Sequence, residues 1–254
     1  MIILKTQDEV EIMAESGKIL GHILKTLQSV AKIGMTTKEL DNIAYRMAKE
    51  ANSVPAFLNY RPSGASKGYP ASICASINDV IVHGLPSNYV LKDGDLLKID
   101  SGVKYKGYCS DSAITVAIGN VSETAKRIMR ATELALMAGI SQAIPGNTVG
   151  DIGFAVESVA HKNGFSIADG LTGHGIGRNL HEDPYVLNFG KKGKGELLRE
   201  GMVIAIEPML TAGRGEIIQT KEESYATADG SLSAHFEHTV AITKNGPRIL
   251  TLRE

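Results

Sequence analysis

Residues 34–52 read GMTTKELDNIAYRMAKEAN and residues 146–164 read GNTVGDIGFAVESVAHKNG, and the two align at a constant offset of 112 positions (146 − 34). Gly34/Gly146, Thr36/Thr148, Glu39/Asp151, Leu40/Ile152, Ala48/Ala160 and Asn52/Gly164 fall in register. Each segment opens on a threonine with an acid three residues later. That is the pattern in which an N-cap hydroxyl and an N3 carboxylate satisfy one another's free backbone N–H groups. Each closes on Asn or Gly, which tolerate left-handed geometry. Both therefore predict an amphipathic helix. Outward from these, a second helix precedes each one. The first runs from about Thr6, boxed with Glu9, to Val30, with Ile12, Ile19, Ile23, Leu27 and Val30 as its apolar stripe. The other runs from about Ser122 to Ala143 and stops before Pro145-Gly146.

A pair of strands follows each helical pair. GDLLKIDSG (94–102) resembles GMVIAIEPM (201–209), and SDSAITVAIG (110–119) resembles FEHTVAITKNG (236–246), so Asp100 corresponds to Glu207 and Asp111 to Glu237. A register held over 19 residues, with acid-bearing strands in the same order, favours duplication over chance likeness between two amphipathic helices. The expected fold class is α+β: one unit over residues 1–254, built from two pseudo-symmetric αα-ββ halves at roughly 6–119 and 122–250. No linker separates them. Arg61–Lys67 and the lysine cluster Gly190–Gly195 read as solvated surface loops.

The four acids sit inside apolar, strand-like runs, where an unpaired charge would cost several kcal/mol. A hairpin with a two-residue turn near Tyr105-Lys106 would set Asp100 opposite Asp111; a three-residue turn would stagger the pair without separating it widely. Carboxylates ~5 Å apart at an effective dielectric of ~20 repel by about 3 kcal/mol. A divalent cation converts that repulsion into binding. His174, in the flexible Gly173–Gly177 turn, adds an imidazole. Structural zinc prefers thiolate-rich tetrahedra. Four hard oxygens and one imidazole suit two five- or six-coordinate ions instead, such as Mn²⁺, Fe²⁺, Co²⁺ or catalytic Zn²⁺, and so metal-assisted hydrolysis. His83 in NDVIVHGLP and His181 in LHEDP are turn-adjacent and free to converge on a cleft; His22, His161, His235 and His238 read as helix-face or strand residues. Strand alternation points His238, next to Glu237, away from the metals. Cys74 in PASICASIN reads as a small buried or pocket-lining residue rather than a nucleophile.

Composition narrows the setting. A net charge of −1 gives no reason to expect nucleic-acid binding. No apolar run approaches the ~20 residues that span a bilayer, and MIILKTQDEVE lacks a signal-peptide core. Cys74 and Cys109 make no disulfide framework, so a reducing cytoplasm is the expected compartment.

Taken together, GYPASICASINDVIVHGLP, DGDLLKIDSG, GYCSDSAITVAIG, GLTGHGIGRNLHEDPYV, GMVIAIEPML and SLSAHFEHTVAIT resemble the type I methionine aminopeptidases of the pita-bread metallopeptidase family, over nearly the whole chain. The resemblance implies a pita-bread fold, with a curved antiparallel sheet covered by helices. It implies two divalent ions (Co, Mn, Fe or Zn), bridged by Asp111 and Glu237. Asp100 would hold one ion, and His174 with Glu207 the other. Glu207 would also take a proton from the attacking water, His181 would steady the scissile carbonyl or its oxyanion, and His83 would contact substrate near the cleaved bond. Tyr69 and Cys74 match positions lining the methionine pocket. The implied substrates are N-terminal peptides and nascent chains whose second residue is small, with transient ribosome contact, no membrane and no specific nucleic acid.

Two other readings compete. X-Pro aminopeptidases and prolidases share the fold but usually carry a substantial N-terminal domain, whereas this sequence starts a helix within ten residues. A metal-free binding module would have lost ligands, whereas all five positions here hold metal-competent side chains. Departures from the family pattern fall on the pocket. Leu180 replaces a frequent aromatic, no tryptophan is present (Glu223 or Ser224 falls near its place, with Tyr225 as a substitute), RPSGASK looks like extra loop, and Ser112 follows Asp111 where Thr is usual.

Overall fold

The computed structural model describes residues 1–61, 67–220 and 223–253; the expected loop Arg61–Lys67 lies outside them except for its two end residues. Among the described residues four helices form where the sequence placed them, three of them behind the expected capping boxes: α1 (Gln7–Val30), α2 (Thr37–Glu50), α3 (Glu123–Ser141) and α4 (Val149–Lys162). The backbone N–H of Thr36 donates to Glu39 at 2.7 Å and that of Thr148 to Asp151 at 2.9 Å. Each of these threonines also makes an isolated antiparallel bridge, Thr36 to Val90 and Thr148 to Leu197. Past the helix ends, Asn52 and Gly164 adopt φ of 52° and 76°. Leu40 on α2 and Ile152 on α4 are both fully buried, in one shared core cluster.

The buried stripe of α1 differs in detail from expectation. Met13, Leu20, Ile23, Leu24 and Leu27 form it, while Ile12, Ile19 and Val30 lie half-buried along its margin. Each fully buried leucine contributes roughly 1.5–3 kcal/mol. Two glycines bring the helix backbone against the C-terminal segment: a Cβ on Gly17 or Gly21 would meet the carbonyl oxygen of Leu250 or Leu252 at 2.1 Å.

All described strand pairs are antiparallel, and they form four sheets. Leu96–Tyr105 and Tyr108–Ala117 make a long hairpin, extended by Ile73–Ile77 and Val54–Pro55. A five-stranded sheet runs Gly246–Ile249, His238–Thr243, Val203–Ile206, Thr172–Gly175, Glu182–Leu187. The hairpin register corrects the expectation. Its two-residue turn is Lys106-Gly107, with φ of 46° and 85°, as a type I′ hairpin requires. Asp100 therefore pairs with Ala113, and Asp111 with Gly102. The displacement is two residues, so both acids stay on one face and meet diagonally.

A second correction concerns the other two acids. They sit at strand interruptions, not within strands: Glu207 falls between Val203–Ile206 and Met209–Thr211, and Glu237 between Ser233–His235 and His238–Thr243. Pro208 has no N–H for a ladder and breaks the first of these. The first hairpin then meets this second region through hydroxyls. Thr239 Oγ1 accepts from Asp111 N at 2.9 Å and donates to Asp111 O at 2.7 Å. Two residues along, Glu237 N donates to Ala113 O at 3.0 Å. Two further on, Thr115 Oγ1 donates to His235 O at 2.7 Å and accepts from His235 N at 2.9 Å. This clasp draws Asp111 and Glu237 together. Among the described residues, no helix is long and apolar enough to cross a membrane.

Candidate metal centre

Five elements deliver the donors. Asp100 and Asp111 come from the hairpin, Glu207 and Glu237 from the two strand breaks, and His174 from the strand Thr172–Gly175 rather than the expected flexible turn. His174 pairs there with Ala205 and Tyr185, and a bulge follows it. Donor atoms of Asp100, Asp111 and Glu237 lie within 4.8 Å of one another, as do those of His174, Glu207 and Glu237, and those of Asp111, His174 and His181. His174 Nε2 is 3.6 Å from Glu207 and 3.8 Å from Asp111. Its Nδ1 lies 2.9 Å from the carbonyl of Gly175, which can only accept; the proton is therefore on Nδ1 and the Nε2 lone pair faces the acids.

The electrostatics of these side chains favour a cation. Burial pushes the Asp100 carboxyl up to about 7. Burial raises Asp111, Glu207 and Glu237 well above the ordinary carboxylate range, helped at Asp111 by Asp100 and at Glu237 by Asp111. Burial also holds His174 down at about 3, a bare imidazole at any physiological pH. Asp100 Oδ1, Asp111 Oδ1 and Glu237 Oε1 are buried with no hydrogen-bond partner. Buried polar atoms normally find partners, so three orphaned carboxylate oxygens facing a bare imidazole nitrogen fit divalent metal ions. A cation held here would supply Lewis acidity, acidifying water and polarising a carbonyl.

Around these donors lie the remaining expected residues. His83 and His181 are exposed, at the mouth of the site, whereas Asp111, His174 and Glu237 are buried. His181 packs edge to face on His174, ring centroids 4.3 Å apart. His83 follows the strand Val80–Val82 with φ of 61° and meets Tyr225 edge to face at 5.8 Å. Cys74 pairs across the strands with Asp100 and so shares its face; burial raises its thiol well above the ordinary value. Tyr69 OH reaches the carbonyls of Ile73 and Gly84, each at 3.1 Å. Cys74 and Leu180 belong to one apolar cluster with Phe57, and Tyr60 and Tyr69 pack against it. His238 bonds Thr251 at 2.9 Å, away from the donors.

Four neighbours escaped the sequence reading. His235, taken as an ordinary strand residue, lies 3.5 Å from Glu207, is buried, and has neither ring nitrogen hydrogen-bonded. Lys98 is fully buried two residues from Asp100; burial lowers its ammonium to about 7, and it donates to Asn78 O at 2.7 Å. Strand alternation in KID was the available signal, since it puts Lys98 on the face of Asp100. Phe57 and Tyr60 come from a segment with no motif of its own, and Tyr60 OH lies 2.7 Å from His181 Nδ1.

The family model for metallopeptidase family M24 matches residues 11–244. A methionine aminopeptidase of Clostridium perfringens is 45% identical over 254 residues, covering 99% of this chain and 99% of the relative. Methionine aminopeptidase 1 of Bacillus subtilis is 42% identical, covering 99% of each. The crystal structure of methionine aminopeptidase from Rickettsia prowazekii superposes with a TM-score of 0.95 at 39% identity, covering 99% of this chain and 100% of that one.

Proposed function

This chain belongs to metallopeptidase family M24 and is a metallo-aminopeptidase of the pita-bread fold, and from that premise we propose that it removes the initiator methionine from nascent polypeptides, in the cytoplasm, with two divalent ions and a preference for a small second residue. Its relatives are named as methionine aminopeptidases. The observation that carries the dinuclear reading is the sharing of Glu237 between two donor trios, one with Asp100 and Asp111, the other with His174 and Glu207. Four carboxylates balance two divalent charges. In this reading Asp111 and Glu237 would be shared between the two ions, Asp100 would help hold one, and His174 with Glu207 the other. The oxygen-rich set suits Mn²⁺, Fe²⁺, Co²⁺ or catalytic Zn²⁺.

The other residues divide the remaining work. Glu207, its carboxylate raised by burial, accepts the proton of the attacking water. His181, above His174, steadies the oxyanion of the scissile carbonyl, and His83 positions the peptide beside it. Tyr69 and Cys74 line the methionine pocket, closed by Phe57 and Leu180. Both halves of the chain supply donors, which supports one catalytic unit over residues 1–254, built from related halves at 6–119 and 122–250. Substrates are N-terminal peptides and nascent chains, met through transient contact with the ribosome.

Incubating the metal-loaded protein with Met-Gly-Met and with an X-Pro peptide tests the reading. Free methionine should come from the first and no residue from the second. Cleavage of the X-Pro peptide alone would move the protein to the prolidase side of the family.

A further inference from the structure

We propose that Tyr60 is a positioning residue that fixes the tautomer of His181 and so keeps that imidazole a hydrogen-bond donor to substrate, not a metal ligand. The inference rests on the reading of His181 as the group beside the scissile carbonyl. Two imidazoles meet here at an interplanar angle of 83°, and both approach Asp111. By distance alone either could bind a cation. What separates them is the partner of each Nδ1. The Gly175 carbonyl accepts a hydrogen bond from His174 Nδ1–H, leaving Nε2 bare. At His181 the partner is a phenol, 2.7 Å from Nδ1.

A phenol hydroxyl has one proton to donate, and a neutral imidazole nitrogen is a strong acceptor for it. Among the described residues His181 Nδ1 is the one hydrogen-bond partner of the Tyr60 hydroxyl, so that proton points to Nδ1; burial, with the nearby Cys109 and Asp111, raises the phenol further and keeps the proton on oxygen. His181 Nδ1 therefore accepts, and the ring's own proton resides on Nε2. An Nε2–H has no lone pair for a cation but can donate to an oxyanion. The same site thus turns one histidine into a ligand and its neighbour into a donor, through outer partners alone.

Both participants are held firmly. Tyr60 N donates to Phe57 O and Tyr69 N donates to Tyr60 O, each at 2.8 Å. On the other side, Cys109 N donates to Gly177 O at 2.7 Å, Lys104 Nζ to Arg178 O at 2.9 Å, and Asn179 N to Glu182 at 3.0 Å. The two rings also pack edge to face, centroids 5.1 Å apart.

Long-range ¹H–¹⁵N correlation on metal-free, ¹⁵N-histidine-labelled protein reads each tautomer without substrate or metal. The His181 signals are those missing from His181→Ala. His181 should be the Nε2–H form and His174 the Nδ1–H form. In Tyr60→Phe, His181 should become a tautomer mixture while His174 is unchanged. With metal loaded, kcat should fall roughly 10–100-fold, with smaller changes in KM and metal affinity. A wild-type His181 in the Nδ1–H form, or one unaltered by Tyr60→Phe, overturns the proposal even if methionine is released. The expected tautomers without methionine release would instead overturn the functional reading and leave the role of Tyr60 in the fold intact.

Discussion

Asp111 places both of its backbone groups on a single hydroxyl: its N–H donates to Thr239 Oγ1 at 2.9 Å, and its carbonyl accepts from the same oxygen at 2.7 Å. Thr115 does the same for His235 on the far side of Glu237. The threonines stand where a strand ladder would, and they join the long hairpin to the second strand region beside Asp111 and Glu237. Thr239→Val keeps the shape but strands a buried N–H and a buried carbonyl. At ~1–3 kcal/mol for each of the two stranded groups, denaturant unfolding should show a loss of about 2–6 kcal/mol. Thr239→Ser keeps the hydroxyl and should recover most of it. Equal stability for the valine and serine variants would show that the clasp carries no energy.

Metal affinity should fall on acidification. Burial holds Asp100 at about 7 and keeps Asp111, Glu207 and Glu237 protonated above the usual range. Those protons must leave before a cation binds, so affinity rises with pH and binding releases protons. Titration with Mn²⁺ at about pH 6 and about pH 8 should show tighter binding at the higher value. A pH-independent affinity would mean the carboxylates are already ionised without metal.

His181→Ala should lower kcat by roughly 10²–10³-fold, the usual effect of removing an oxyanion donor, while metal affinity stays close to wild type. Loss of metal with little loss of kcat in the loaded enzyme would make His181 a ligand.

Acid stability should depend on Glu9. Its carboxylate accepts from the Tyr108 hydroxyl and Thr6 N, and Arg178 lies 3.2 Å away; these contacts, Tyr108 first, lower its value from 4.5 to about 2. A lowered carboxylate stabilises the fold above its unfolded value, and that contribution is lost as pH falls from about 4.5 to about 2. The melting-temperature gap between wild type and Glu9→Gln should therefore be constant near neutrality and close across that window. A gap unchanged down to pH 2 would remove Glu9 from the account.

How much the sequence revealed follows the range of each interaction. Capping is local, so the boxes at Thr6, Thr36 and Thr148 marked three helix starts to within a residue, and α3 begins just after Ser122, where its start was expected. The hairpin turn is also local, but its signal was the glycine at 107, which puts the turn one residue later than Tyr105-Lys106 and shifts the register by two. Because side chains alternate with period two, the acids still share a face. Glu207 and Glu237 read as strand residues since IAIEPML is apolar apart from its acid and AHFEHTV leads straight into the strand-like VAIT; only Pro208 hinted at a break. Tyr60, His235 and Lys98 owe their importance to contacts with Nδ1 of His181, with Glu207 and with Asn78 O. The partners lie 121, 28 and 20 positions away (181 − 60, 235 − 207, 98 − 78), and no local pattern encodes such contacts.

The claim that two cations sit among five shared donors is tested most directly by calorimetric titration of the metal-free protein with Co²⁺ or Mn²⁺, following methionine release in parallel. The account predicts two ions per chain, weakened binding of both in Asp111→Asn and Glu237→Gln, and no peptide hydrolysis by either variant. Wild-type turnover by Asp111→Asn, or a fully active protein carrying no divalent metal, would contradict it.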